Sequence, residues 1–360
     1  MQPHFPPELL DLIIDEAEDS LPTLHSLSWY RSNALFEQGG TYSSILISDI
    51  IRRPMERRLR NLRKLFGKNK TLASCVKSIN VRMGLYDETV FIENLPPILQ
   101  CLTSLSSVQI TGFASEGGLH WKRIPKQAAD AIAECLSQPG ISEVAVEGLW
   151  DAPSQLIFSS PSLKRLYLES MWDLLPPPTD SCTALTELVV VGSSDTYIRT
   201  LAHASPSLFS HLKAFQMDPA SSENWITCRE ILQACRGTVE RIVLRVHEIT
   251  ADEEDILLLP HVKHLNIEVF TKSWGQRLYL RCPRFVQDAR MTLSKYGTNN
   301  LEVLESLSLQ ISIITNTCRV AQYHSLPILQ ETDEWSFLDE YLSSLANNRL
   351  QVKRRVHHPA

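Results

Sequence analysis

The residues best suited to hold a metal are His261 and His264, which bracket Val262-Lys263, with Asp252, Glu253, Glu254 and Asp255 upstream. Imidazole and carboxylate ligands together would suit a zinc or other transition-metal ion. The apolar alternation around the histidines predicts a strand, however, and residues three apart on a strand face opposite sides. The pair therefore does not converge, and Asp252 to Asp255 reads as a solvated return loop. Cys228 and Cys235 stand seven apart in a helical pattern, so both thiols can share one buried face. The other cysteines, Cys75, Cys101, Cys135, Cys182, Cys282 and Cys318, are widely spaced, with no C-x-x-C and no histidine pair at zinc-finger spacing. Reduced, partly buried thiols in a reducing compartment are expected. The sequence contains no G-x-S-x-G, H-E-x-x-H, P-loop or G-x-G-x-x-G motif. No nucleophile has an identifiable base. The chain is read as a non-enzyme, with no cofactor and no metal.

The elements that would position any site are set first by size and charge. At 360 residues with 43% hydrophobic content, the chain is long enough to bury a core. A formal net charge of −6 argues against wholesale nucleic-acid binding. No apolar run approaches the ~18 residues of a membrane span. A secretory signal is also not expected, because Glu8, Asp11, Asp15, Glu16, Glu18 and Asp19 interrupt the first apolar segment and no Lys or Arg precedes Arg31. An intracellular protein, cytoplasmic or nuclear, is expected.

From residue 76 one pattern recurs, apolar-x-x-apolar-x-apolar. Its nine copies begin at Val76, Leu105, Ile141, Leu163, Leu185, Leu212, Val239, Val262 and Leu304. Each ends in a period-two strand signature, and most intervals are 22 to 36 residues. A single unit of this kind cannot bury its own apolar stripe. Stacked units can, by forming a parallel sheet with helices or irregular segments returning on one side. Ala128 to Leu136 and Ile226 to Cys235 have the spacing of return helices. The long intervals after Leu105 and Val262 should hold insertions. Before the repeats, Ile47 to Phe66 predicts an amphipathic helix that is basic on one face, with Pro54 near its true start. After them, Trp335, Leu338, Leu342 and Leu345 line one face of a predicted capping helix, followed by a basic tail at 353–358.

The L-x-x-L-x-L repeat resembles the leucine-rich repeat. Ordinary repeats place Asn or Cys three residues after the last leucine. Those positions here are Gly84, Phe113, Leu149, Met171, Ser193, Ala220, His247, Phe270 and Ser312. The resemblance therefore implies a divergent solenoid of α/β class, with a parallel sheet on the concave face and returns on the convex face.

The opening stretch, Phe5-Pro-Pro-Glu-Leu-Leu-Asp-Leu-Ile-Ile14, resembles the first helix of an F-box. Leu24-His-Ser-Leu27-Ser-Trp29, Leu35-Phe36 and a Ser-rich bridge at 42–49 follow, as in F-box proteins common in mushroom-forming fungi. Only Ser26-Leu-Ser-Trp29 stands where the family carries a longer segment. The resemblance implies a substrate-receptor subunit of a Skp1–cullin–F-box ubiquitin ligase. A Skp1-like adaptor, and through it a cullin, would be partners, along with a protein target but neither nucleic acid nor membrane. Docking would be helix-in-groove, through Phe5, Pro6, Pro7, Glu8, Leu9, Leu10, Leu12, Ile13 and Ile14, with Leu24, Leu27 and Trp29 behind them. The alternatives are that this helix merely packs on the first repeat, or that the chain is a repeat scaffold with a vestigial F-box and no ubiquitin role.

The expected organisation is an F-box-like helical segment over 1–40, a bridging basic amphipathic helix over 41–75, the repeat solenoid over 76–315, and a capping helix with basic tail over 316–360. The third and fifth pattern positions should face out from the concave sheet. Target contacts are expected at Arg165, Tyr167, Glu187, Arg241, Val243, His264 and Asn266, a mix of aromatic, arginine and polar residues suited to an interface.

Overall fold

A computed structural model describes residues 44–48, 54–84, 88–113, 118–171, 185–192, 199, 206–218, 222–246, 261–273, 305–315 and 351–357. The chain divides into two units, Met1–Ile45 and Leu46–Ala360. The expected F-box segment, the acidic loop at 252–255 and the predicted capping helix lie outside the described residues.

The fold is α/β, with a mostly parallel, open sheet. Eight strands form its body: β2 (Ser78–Met83), β3 (Ser107–Gly112), β5 (Glu143–Glu147), β7 (Arg165–Glu169), β8 (Glu187–Val191), β9 (Ala214–Met217), β10 (Arg241–Val246) and β11 (His264–Ser273). With β1 (Ser44–Ser48), β12 (Ser306–Thr315) and β13 (Gln351–His357) the sheet reaches 11 strands in the order β1-β2-β3-β5-β7-β8-β9-β10-β11-β12-β13. Space and sequence thus run in the same order. A two-stranded sheet pairs β4 (Leu119–His120), in the segment between β3 and β5, with β6 (Leu149–Trp150), which follows β5.

All nine sequence copies become strands, in one register. Their third positions form an unbroken row of partners: Ser78, Ser107, Glu143, Arg165, Glu187, Ala214, Arg241, His264 and Ser306. The junction between copies also repeats. The second-position carbonyl of each copy accepts the backbone N–H of both the second and third positions of the next. Lys77 accepts from Ser106 and Ser107, and the pattern recurs at Ser106, Ser142, Lys164, Thr186, Lys213, Glu240 and Lys263. Register follows from burial, because a one-residue slip would turn every apolar side chain to the wrong face. Fourth positions such as Ile79, Val108, Leu166, Phe215 and Ile242, and sixth positions such as Ile110, Leu168 and Leu244, are at most 2% exposed.

The returns cover that apolar face. Since successive parallel strands always step in the same direction, right-handed crossovers all land on one side. The helices are α1 (Pro54–Lys68), α2 (Lys70–Cys75), α3 (Glu88–Cys101), α4 (Lys126–Leu136), α5 (Ser154–Ile157) and α6 (Ser222–Ala234). α1 starts at Pro54, as a proline tolerated in the first turn would set it. In α4, Ala128, Ala131, Ile132, Cys135 and Leu136 form the buried stripe. Asn69 opens α2, its side-chain oxygen accepting from the Leu72 N–H at 3.0 Å.

α3 contains Pro96 and Pro97, and Pro97 has no N–H to give the Glu93 carbonyl four residues back. Arg63 of α1 donates to that carbonyl instead, at 3.2 Å.

One sequence expectation is corrected. Residues 353–357, read as part of a basic tail, belong to β13, which pairs in parallel with β12 from Ser306↔Gln351 onward. Val352 and Val356 continue the period-two alternation, which the neighbouring basic residues hid. The turn out of the strand also works differently from the leucine-rich-repeat scheme. Gly148, Ser170 and Gly192 take left-handed backbone, with φ of 61°, 51° and 53°. They end β5, β7 and β8 one position before the usual Asn, and at that next position Leu149 and Met171 are fully buried instead. A left-handed residue turns the chain without a side-chain amide ladder.

Candidate interaction face

The face opposite the returns carries the third, fifth and seventh pattern positions. None of the nine third positions is buried, and among the fifth positions only Ala145 and Gln216 are. All seven expected contact residues lie on this face and none is buried: Arg165, Tyr167, Glu187, Arg241, Val243, His264 and Asn266.

The side chains form a series of polar pairs across the strands. Arg165 pairs with Glu143 on the neighbouring strand. Arg241 reaches across β9 to Glu187, at 3.3 Å, over the small side chain of Ala214 between them. Further along, Arg245 Nε donates to Glu268 at 2.7 Å, and Asn266 Nδ2 donates to the other oxygen of the same carboxylate at 3.1 Å. His264 Nδ1 lies 2.8 Å from Ser306 Oγ. At the other end, Asn80 Nδ2 donates to Gln109 at 2.7 Å. The exposed ion pair of Arg241 and Glu187 contributes little stability, about 0–1 kcal/mol, but it holds two long side chains in defined positions.

The seventh positions were not anticipated from the sequence, although continuing the alternation two residues past each L-x-L would have found them. Glu147 and Glu169 are register partners on β5 and β7. The Tyr167 hydroxyl donates to Glu169. Burial is the main reason the Tyr167 phenol titrates well above its ordinary range, and the hydrogen bond to Glu169 adds to it. Burial first, then the charge of Glu169, raise the Glu147 carboxyl. Donation from Thr111 at 3.2 Å and the charge of Arg82 oppose the shift without cancelling it.

A raised carboxyl binds its proton more tightly folded than unfolded. Its contribution to stability therefore falls as pH rises from the ordinary carboxylate range through the folded value. Glu147→Gln keeps an acceptor for Thr111 and removes the charge. The variant is expected to be more stable than the parent at neutral pH, with the difference vanishing in acid. Urea unfolding at both pH values checks this, and a less stable variant at neutral pH would show that the attraction to Arg82 dominates.

The sites first considered for chemistry do not converge. His261 lies in an exposed turn and His264 on the uncovered face of β11. Among the described residues, no group of three or more His, Cys, Asp or Glu could hold a metal ion. Cys228 and Cys235 are buried in and just after α6, and Cys135 in α4. Burial pushes the Cys135 and Cys235 thiols up to about 12, and raises Cys228 as well, which keeps them protonated and unreactive. Among the described residues no helix is long and apolar enough to cross a membrane.

The insertion after β3 and the turn after β5 together build a second cluster. His120 Nδ1 lies 2.9 Å from Asp151 Oδ2 and packs edge-on against Trp150, with ring centroids 4.9 Å apart. Lys122 Nζ stands 3.7 Å from the same carboxylate oxygen. Asp151 is itself left-handed, with φ 55°.

Compared with known proteins, the chain matches no family model and no curated protein.

Proposed function

We propose that the chain is a non-catalytic substrate-receptor subunit of a Skp1–cullin–F-box ubiquitin ligase, built as a divergent leucine-rich-repeat-like solenoid that holds its target on the concave face. The observation that carries this reading is the single register of nine sequence copies, which lines up an uncovered row of polar, charged and aromatic side chains across the sheet. A surface of this kind offers many shallow contacts to a protein. Tyr167 beside Arg165, and Val243 beside Arg241, combine an apolar body with a charge, as interface anchors do. The resemblance of residues 5–14 to an F-box helix supplies the link to the ligase. The apolar anchors Leu9, Leu10, Leu12, Ile13 and Ile14 would fill an adaptor groove, and the receptor would contribute position while other subunits make and break bonds.

Purified full-length protein should capture a Skp1 from a mushroom-forming fungus in a pull-down. Leu9→Asp/Ile13→Asp should abolish capture, because two buried charges in a helix groove each lack a partner. Urea unfolding of the variant establishes that the repeats remain folded. Failure of the folded parent protein to bind would leave a repeat scaffold with no ubiquitin role.

A further inference from the structure

The modest net charge of the chain conceals a steep internal asymmetry. Residues 52–70 contain nine basic residues and one acidic residue, a net of 9 − 1 = +8. The remainder of the chain therefore carries −6 − 8 = −14. Six of the nine cations are arginines.

The structure separates the two faces of this segment. Leu59 and Phe66 of α1 are 3% and 2% exposed, and the helix packs on α2 and α3. Arg63, Lys64 and Lys68 are exposed on α1, Lys70 opens α2, and Lys77 is exposed just before β2. Arg63 spends one N–H on the Glu93 carbonyl. Among the described residues, Lys64, Lys68, Lys70 and Lys77 form no ion pair. Lys64 and Lys68 stand one helical turn apart, about 6 Å along the axis. Cations spaced this closely and left unneutralised repel one another, and a polyanion would relieve that repulsion.

Three polyanions differ in what they require. An in-plane helix on a bilayer needs its apolar stripe free to insert, and this stripe is already buried against α2 and α3. An acidic protein needs carboxylates placed to match. A nucleic-acid backbone presents a regular line of phosphates, which exposed lysines can meet as point charges without a fixed partner geometry. We propose that the exposed basic face of α1, continued by Lys70 and Lys77, binds the phosphate backbone of a nucleic acid without reading its sequence. This revises the expectation, drawn from the net charge and from there being a single basic segment interrupted by Glu56, that no nucleic acid is a partner. Adaptor capture through residues 5–36 and oligonucleotide binding through α1 can succeed or fail separately.

Fluorescence anisotropy of the full chain with a labelled oligonucleotide, duplex and single-stranded, over a salt series, tests this. Binding should weaken linearly in log–log form with salt and change little when the base sequence is scrambled. Lys64→Glu/Lys68→Glu should weaken binding at low salt by about tenfold or more and make the salt slope shallower by about 2. Lys126→Glu/Lys213→Glu, the same charge change at exposed sites elsewhere, should cost far less. Absence of salt-dependent binding, or equal binding by the α1 variant, overturns the proposal. So does preferential binding to poly-glutamate or to phosphatidylserine-containing vesicles, which would assign the face to an acidic protein or to lipid.

Discussion

Phe215→Ala is expected to destabilise the fold by about 3–5 kcal/mol, read as a lower urea midpoint. Phe215 is the fourth-position residue of β9 and is 1% exposed. Its register partners are Leu188 on β8 and Ile242 on β10, themselves 1% and 0% exposed. Truncation removes the whole ring from between two fully buried aliphatic side chains, and the strands on either side are fixed by their own junction hydrogen bonds. The site therefore has little room to collapse, which places the cost at the upper part of the range for core truncations. In a stack where each unit contacts its neighbours, the loss also weakens coupling between the halves on either side of β9. The unfolding transition should broaden as well as shift. Val189→Ala, on the fifth position of the adjacent strand, removes a half-buried side chain from the opposite face and should cost less than about 1 kcal/mol. Similar losses at the two positions would show that the faces are not distinguished as the register requires.

That contrast in parity was legible in the sequence because burial alone dictates it. Positions one, four and six of each copy had to point inward, and only one register allows this across all nine. The return helices near 128–136 and 226–235 were legible for the same reason, each having an apolar stripe at helical spacing. Other features depend on contacts that no local pattern reports. α3 runs through Pro96-Pro97, which local rules read as a break, because a side chain from another helix satisfies the carbonyl that the proline leaves open. β4 and β6 are two residues long, too short for alternation to register. β13 lies in a stretch whose Lys, Arg and His residues outweigh its two valines. The carboxylate pair Glu147 and Glu169 becomes a pair only when β5 and β7 are set side by side. The basic face of α1 was visible in the sequence, but its significance lay in the burial of the opposite stripe and in the absence of ion pairs at Lys64 and Lys68 among the described residues.

Gly112→Ala and Gly67→Ala are expected to move stability in opposite directions, although each adds one methyl group. Gly112 ends β3 where the insertion folds back over the sheet. An added Cβ there would lie 2.7 Å from the Gly148 carbonyl oxygen, 2.8 Å from Leu119 Cβ and 2.8 Å from Leu149 Cδ2. Two of these atoms cannot move without moving backbone. The Gly148 carbonyl is also the acceptor for Leu119 N–H, at 2.8 Å, so relief of the clash pulls on the start of β4. Overpacking of this kind costs about 1–3 kcal/mol. Gly67, by contrast, is exposed near the end of α1, and a Cβ added there would meet nothing within 4 Å. Alanine there lowers the entropy of the unfolded chain and improves helix propensity, a gain of about 0.4–1 kcal/mol. Paired urea titrations should therefore separate the variants on either side of the parent. Tryptophan fluorescence should also change for Gly112→Ala, since Trp150 follows Leu149 in β6 and packs against His120 in β4. If Gly112→Ala is neutral and leaves that signal unchanged, β4 and β6 are not clamped onto the end of β3. The geometry of His120, Trp150 and Asp151 would then owe nothing to the close approach that only a glycine at 112 permits.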